Sequence, residues 1–365
     1  MLATREQLAV GARELEGGER FYLDTEFESS RHGKRLSLIQ ISRGDEVFIV
    51  DALALPSLEE LGPVLFRAGA EWILHAGLQD VELLLAAFNR AEPPSLFDTQ
   101  VVWSLLGPEA GVSLAFLQFK VLGVRSSKGY QADDWLRRPL PAAQIEYAAR
   151  DITYLPLLEK SLRERARSLG RDHLIHEVCR DQLLPKAAPP LALTFESFRN
   201  AWQLDGAGQN ALRALIGWYN ALPAEASPLQ SRTLLSIASR QPHNVKDLSR
   251  IKGVSAGLCR THGALLVSLL EQSRATAGAG AEIEPNDYGS FADYVREARL
   301  MLIRAELCAE LSVAPDLALP MATVRRMLQR AKSEGTLAAA RSELSGWRAE
   351  LLEPGFTRHV KRFES

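Results

Sequence analysis

Asp24 and Glu26 stand two residues apart in a short β-rich stretch, FYLDTE. Alternation along a strand points both carboxylates to one face of a sheet. Like charges held side by side repel, and a cation between them removes the conflict. Tyr147 and Asp151 stand four apart in a segment of helical period, so they share a helix face. Asp80 follows a strand-like run, WILH, where a helix begins and an acid is favourable with the dipole. Each has a plainer reading: solvated acids at a strand end, a core tyrosine beside a surface acid, and an acid in a first helical turn. Together the four carboxylates, with no His/Cys cluster, are hard oxygen donors suited to Mg²⁺ or Mn²⁺ rather than zinc. Two such ions about 4 Å apart can hold a phosphodiester, generate hydroxide and stabilise the leaving oxygen. Convergence of the acids has to come from the fold.

The elements that would position them alternate. Residues 21–26, 36–42 and 46–51 read as strands, with turn residues at Gly33 and at 43–45. Residues 72–75 read as a fourth strand. Apolar residues at 78, 81, 84, 85 and 88 follow a helical period. Residues 96–106, 113–122 and 142–169 also read as helices. Such an order predicts an α/β sheet covered by helices. Two linkers then divide the chain. One is LPKAAPPLA at 184–192, whose paired prolines cannot continue a helix. The other, at 275–289, is Gly-rich and then acidic. They predict domains at 1–185, 195–275 and 288–365, the last two helical.

Composition narrows the class. The chain of 365 residues is 46% hydrophobic and 24% charged, which excludes bulk disorder. No uncharged stretch much exceeds about ten residues, against the ~20 apolar residues that span a bilayer. No basic-then-apolar leader pattern opens the sequence. Cys179, Cys259 and Cys308 are odd in number and far apart, so thiols in a reducing cytoplasm are expected. The net charge of −2 hides an asymmetry. Residues 1–189 carry 22 Lys and Arg against 27 Asp and Glu, and residues 190–365 carry 21 against 18. Within 210–275 stand eight basic residues and three acids. That module is expected to hold a phosphate backbone without reading bases. Trp218 and Tyr219 could stack bases there, or pack in its core.

Asp-Thr-Glu-Phe at 24–27 resembles the first motif of the DEDD family of 3′→5′ exonucleases. His-Ala-Gly-Leu-Gln-Asp at 75–80 looks like the second motif of its ribonuclease D branch. Tyr-Ala-Ala-Arg-Asp at 147–151 is similar to the third, in the tyrosine-bearing subclass. Phe-Asp-Thr-Gln at 97–100 and Asp134-Trp135 followed by Arg138-Pro139-Leu140 extend the resemblance over about residues 10–180. Residues 208–272 resemble a helicase-and-RNase-D C-terminal (HRDC) domain. Residues 290–365 resemble a second, more divergent copy, whose Ser345-Gly346-Trp347-Arg348 is similar to the end of bacterial ribonuclease D. The resemblance implies an α/β ribonuclease H-like exonuclease domain followed by two small all-α HRDC-type bundles.

It also implies roles. Asp24 would bridge two divalent cations, Mg²⁺ or Mn²⁺. Glu26 and Asp151 would complete one ion site, Asp80 would hold the other, and Tyr147 would orient the attacking water. His75, Lys128, Gln131 and Arg138 are candidate substrate contacts, and Asp98 is a helix start that could support the site. Asp133 and Gly129 depart from the family pattern, which bears on substrate grip and not on the metal ligands. The implied activity is a cytoplasmic metal-dependent 3′→5′ exoribonuclease that releases nucleoside 5′-monophosphates. Its implied partner is RNA with a single-stranded 3′ end, tRNA precursors included, with no membrane and no obligate protein partner. Two alternatives are a non-catalytic RNA-binding scaffold, which the complete acid set and Tyr147 count against, and a related exonuclease acting on DNA. Deletion of 195–365 is expected to weaken RNA binding and spare hydrolysis of short oligomers.

Overall fold

A five-stranded mixed sheet carries the acids. The computed structural model describes residues 1–30, 33–125, 134–184, 193–198, 200–222, 229–275 and 290–364. The strands are β1 (Arg20–Ser30), β2 (Gly33–Ser42), β3 (Val47–Asp51), β4 (Glu71–Leu74) and β5 (Ser95–Asp98), in the order β3-β2-β1-β4-β5. β1, β2 and β3 pair antiparallel, whereas β4 and β5 run parallel to β1 and to each other. On one face Phe21, Leu23, Ile39, Ile41 and Val50 are buried in the main core with Leu8 and Leu15 of α1 (Arg5–Leu15). A capping box starts that helix: the Thr4 hydroxyl accepts from the Gln7 N–H, and the Gln7 side chain accepts from the Thr4 N–H. On the other face Leu38 and Ile49 form a small cluster with Trp135, Leu140 and Ala148.

The helices of this part are α2 (Gly62–Leu65), α3 (Leu78–Ala87), α4 (Thr99–Leu105), α5 (Leu114–Leu122), α6 (Ala142–Thr153), α7 (Leu155–Ser168) and α8 (Ile175–Leu183). Two boundaries differ from the sequence reading. Residues 96–98, expected in a helix, are strand. Leu96 and Phe97 pair with Trp72 and Ile73 and are buried, and a short apolar run does not distinguish a buried strand from a buried helix. The Asp98 side chain then accepts the Gln100 and Val101 N–H groups and starts α4. The span 142–169, expected as one helix, is two. Pro156 falls in the first turn of α7, where its missing N–H is harmless; inside a continuous helix it would remove a bond.

Residues 187–297 form a separate compact unit with its own core. It contains α9 (Gly206–Asn220), α10 (Ser231–Arg240), α11 (Val245–Leu248) and α12 (Ala256–Ala275). Leu212, Leu215, Leu234, Ile237, Leu248, Leu266 and Leu270 pack together there. Trp218 and Tyr219 are partly buried against this core, and the Trp218 ring also lies 5.4 Å from that of His262.

The remaining helices are α13 (Phe291–Leu311), α14 (Pro315–Ala318), α15 (Met321–Glu334) and α16 (Gly346–Glu364). From residue 298 onward they fall in one compact unit with residues 1–186. Leu300, Ile303, Leu307, Trp347 and Phe356 share the main core with the sheet. Polar ties reinforce this. The Ala314 N–H donates to the Ser104 carbonyl at 2.8 Å. Arg171 donates to the carbonyls of Leu105, Leu311 and Ser312. The Trp347 N–H donates to Glu177 at 2.9 Å, and Arg348 pairs with Asp181 at 2.6 Å. No helix among the described residues is long and apolar enough to cross a membrane. All three cysteines are free, with Cys179 and Cys308 buried.

Candidate active site

The acids converge. Asp24 and Glu26 of β1 and Asp151 of α6 each present an oxygen, and these atoms all lie within 4.8 Å of one another. Pairing of β1 with β4 ends at Tyr22 and Ile73, so Asp24 sits just beyond the parallel pair. Asp80 arrives in the first turn of α3 and accepts a hydrogen bond from the Thr25 hydroxyl. Tyr147, one helical turn before Asp151, gives its hydroxyl to the Asp151 carboxylate. Its ring lies 6.4 Å from that of Trp135.

The electrostatics are those of an unneutralised acidic cluster. Burial, then the Asp80, Asp151 and Glu26 charges, hold Asp24 well above the usual carboxylate range. Burial with Asp151 and Asp80 pushes Glu26 up to about 8. Asp80 and Asp151 are each pushed up to about 6 by burial, opposed by the hydroxyls of Thr25 and Tyr147. Burial first, then the neighbouring acids, raises the Tyr147 phenol, which stays protonated at neutral pH. Among the described residues, no Lys, Arg or His pairs with Asp24, Glu26, Asp80 or Asp151. Several wholly or partly buried carboxylates without a cationic partner fit a divalent ion bound by hard oxygen donors.

Asp98 organises the turn that delivers Asp80. Its fully buried carboxylate accepts the N–H groups of Ala76 and Gly77 at 3.2 and 2.7 Å, besides those of Gln100 and Val101. One side chain therefore ties the β4–α3 turn to the start of α4. Ala76 sits at φ +56°, and a Cβ on Gly77 would approach Leu74 Cβ to 2.7 Å. The turn is tight, and its four-donor anchor holds it.

Comparison with known proteins bears on the class of enzyme. A family model described as 3′-5′ exonuclease matches residues 1–167, which contain all five candidate residues, and an HRDC domain model matches residues 229–270. The chain is similar to ribonuclease D of Shewanella, 27% identical over 340 residues that cover 90% of this chain and 86% of that one. It is also similar to ribonuclease D of Cronobacter turicensis, 27% identical over 365 residues that cover 96% and 97%. The chain is similar to ribonuclease D proteins over most of its length. It is a metal-dependent 3′→5′ exoribonuclease, with a ribonuclease H-like exonuclease domain, an HRDC domain and a helical C-terminal region. Its fold is that of Escherichia coli RNase D, described as an exoribonuclease involved in structured RNA processing. That structure superposes with a TM-score of 0.68 at 23% identity, covering 100% of this chain and 98% of that one.

Of the outer candidates, the two that are described, His75 and Arg138, are engaged by other groups. His75 has both ring nitrogens engaged inside the protein. Nε2 donates to the Val112 carbonyl at 3.1 Å, and Nδ1 meets the Thr99 hydroxyl at 2.8 Å. Burial pushes its pKa down, so the ring is neutral. Arg138 forks onto Asp51 through Nε and Nη2, both at 2.7 Å, and its other N–H groups go to Ser37, Trp135 and Arg137. Its Nε and Nη2 donors hold the loop against β2 and β3, and its Nη1 donors brace the loop itself. Lys128 and Gln131 lie outside the described residues. Sequence reasoning missed Thr25, whose position between two acids gave no hint that it faces Asp80. Nor did the sequence signal that Asp98, expected to start a helix, would also hold the turn before α3.

Proposed function

We propose that the four carboxylates hold two divalent cations, Mg²⁺ or Mn²⁺, and that the protein trims single-stranded 3′ ends of tRNA precursors and other structured RNAs. The carrying observation is the Asp24, Glu26 and Asp151 cluster, whose oxygens lie within 4.8 Å of one another without a cationic side chain among the described residues. Asp24 would serve both ions, Glu26 and Asp151 one, and Asp80 the other. When bound, the cations acidify water and offset charge on the phosphate. Tyr147, protonated and bonded to Asp151, orients the attacking water and takes no proton. Water adds to the terminal phosphorus as the P–O3′ bond breaks. A nucleoside 5′-monophosphate leaves, and the shortened RNA ends in a new 3′-hydroxyl.

The HRDC unit supplies grip. Arg213, Arg232, Arg240, Lys246, Arg250, Lys252 and Arg260 are exposed, and Arg274 is partly buried with a bond to the Gln241 carbonyl. A basic surface of this kind binds phosphates with strong salt dependence and little sequence preference. A cytoplasmic site of action accords with the free thiols and the lack of a membrane-crossing helix among the described residues. Digestion of 3′-labelled RNA and DNA side by side, with Mg²⁺ or Mn²⁺, tests the reading. Labelled mononucleotide is expected from RNA with wild type and not with Asp151→Asn. Equal release by the variant, or release without a divalent cation, would overturn it.

A further inference from the structure

Gln40 lies in the middle of β2 with no exposure, and neither its amide nitrogen nor its amide oxygen meets a hydrogen-bond partner among the described residues. It stands directly across from Asp24 in the β1–β2 register, and across from Ile49 in the β2–β3 register. Directly opposed residues of an antiparallel pair face the same side, with Cβ atoms about 5 Å apart. The amide is therefore on the carboxylate face. Its neighbours along β2 on that face are Leu38, opposite Glu26, and Ser42, opposite Tyr22; Leu38 and Ile49 pack with Ala148 and Trp135.

A buried amide without a partner is destabilising, and an apolar side chain of similar volume would avoid that. The charged group that the register sets beside Gln40 is Asp24, which has no cationic partner among the described residues. A lysine or arginine at this position would neutralise that carboxylate and compete with a metal ion. An amide can donate to it and leave its charge available.

We propose that Gln40 is a positioning residue for the metal centre, its side-chain N–H, which has no other partner among the described residues, becoming the donor that orients the Asp24 carboxylate once cations are bound. This rests on the reading that Asp24 holds divalent ions. Partners of this kind behind a metal ligand are worth roughly ten- to a hundredfold in metal affinity.

Mn²⁺ binding to the full chain is measured by calorimetry, with melting of the metal-free protein as a second readout. Wild type, Asp24→Asn, Gln40→Met and Gln40→Leu are compared. Gln40→Met is expected to bind Mn²⁺ roughly ten- to a hundredfold more weakly while melting at the same or a higher temperature without metal. Gln40→Leu, of different shape but equally without a donor, is expected to lose as much affinity. Unchanged affinity in Gln40→Met overturns the proposal. So does lost affinity accompanied by a lower metal-free melting temperature in both variants, since that marks a packing role. If wild type itself binds no Mn²⁺, or Asp24→Asn binds it equally well, the metal reading fails rather than the role of Gln40 alone.

Discussion

The Thr25 hydroxyl donates to the Asp80 carboxylate, joining the central strand to the first turn of α3. The two residues are 55 positions apart and both are buried. Thr25→Val removes the donor and keeps the branched shape. It is expected to cost about 1 kcal/mol of stability. Loss of the bond frees Asp80 to rotate, so half-maximal activity should need roughly tenfold more Mg²⁺. A Mg²⁺ titration of RNA hydrolysis checks this, and near-normal rates should return at saturating metal.

Without metal, the protein should lose stability as pH rises. Glu26 is pushed up to about 8 and Asp80 and Asp151 to about 6, against values near 4 in an unfolded chain. The folded state thus binds more protons than the unfolded state between about pH 4 and 8. Stability from these groups is fully present below about pH 4 and fades as pH passes 6 and then 8. Melting in EDTA should therefore occur at a lower temperature at pH 8.5 than at pH 6. Added Mg²⁺ should restore more at the higher pH, where fewer protons compete for the same oxygens. Asp24→Asn should abolish hydrolysis, flatten this pH profile and raise the metal-free melting temperature at pH 8.5. A flat wild-type profile in EDTA would contradict the charge distribution described above.

Truncation at residue 297 should not give a working nuclease. It removes Leu300, Ile303, Leu307, Trp347 and Phe356 from the core shared with the sheet. Buried leucines and aromatics each contribute a few kcal/mol, so the sum exceeds what a domain can lose. The shortened protein should be insoluble or lack a cooperative melt, and deletion of 195–365 would fail for the same reason.

Charge reversal at Arg232, Lys246 and Arg260 is the cleaner way to probe the HRDC unit, because these side chains are exposed. RNA binding should weaken with melting unchanged. The slope of log affinity against log salt should fall by about 0.7 for each phosphate that is no longer neutralised. Filter binding across a salt series reads both the affinity and the slope.

Four of the five central residues were legible as pairs because local periodicity encodes facing, whereas Asp80 and the convergence of all five rested on the resemblance. Asp24 and Glu26 follow the two-residue period of a strand, and Tyr147 and Asp151 the four-residue step of a helix. What escaped depends on partners distant in the chain. Arg138 looked like a free cation beside the site until Asp51, 87 positions away, took its fork. Lengths of apolar runs did not reveal β5, because three buried residues suit either element. The apolar stripes of α13 and α16 announced helices that bury a face, but a stripe does not say which surface it covers.

The joint core of residues 1–186 and 298–364 has a temporal side. A ribosome makes the chain from the N-terminus, so strands carrying Asp24 and Glu26 emerge long before Trp347 and Phe356. The HRDC unit, made in between, has a complete core of its own and can fold first. The nuclease half waits for the last helix. Through most of its synthesis, then, an RNA-degrading chain tethered to messenger and ribosomal RNA lacks the packing that would make it active.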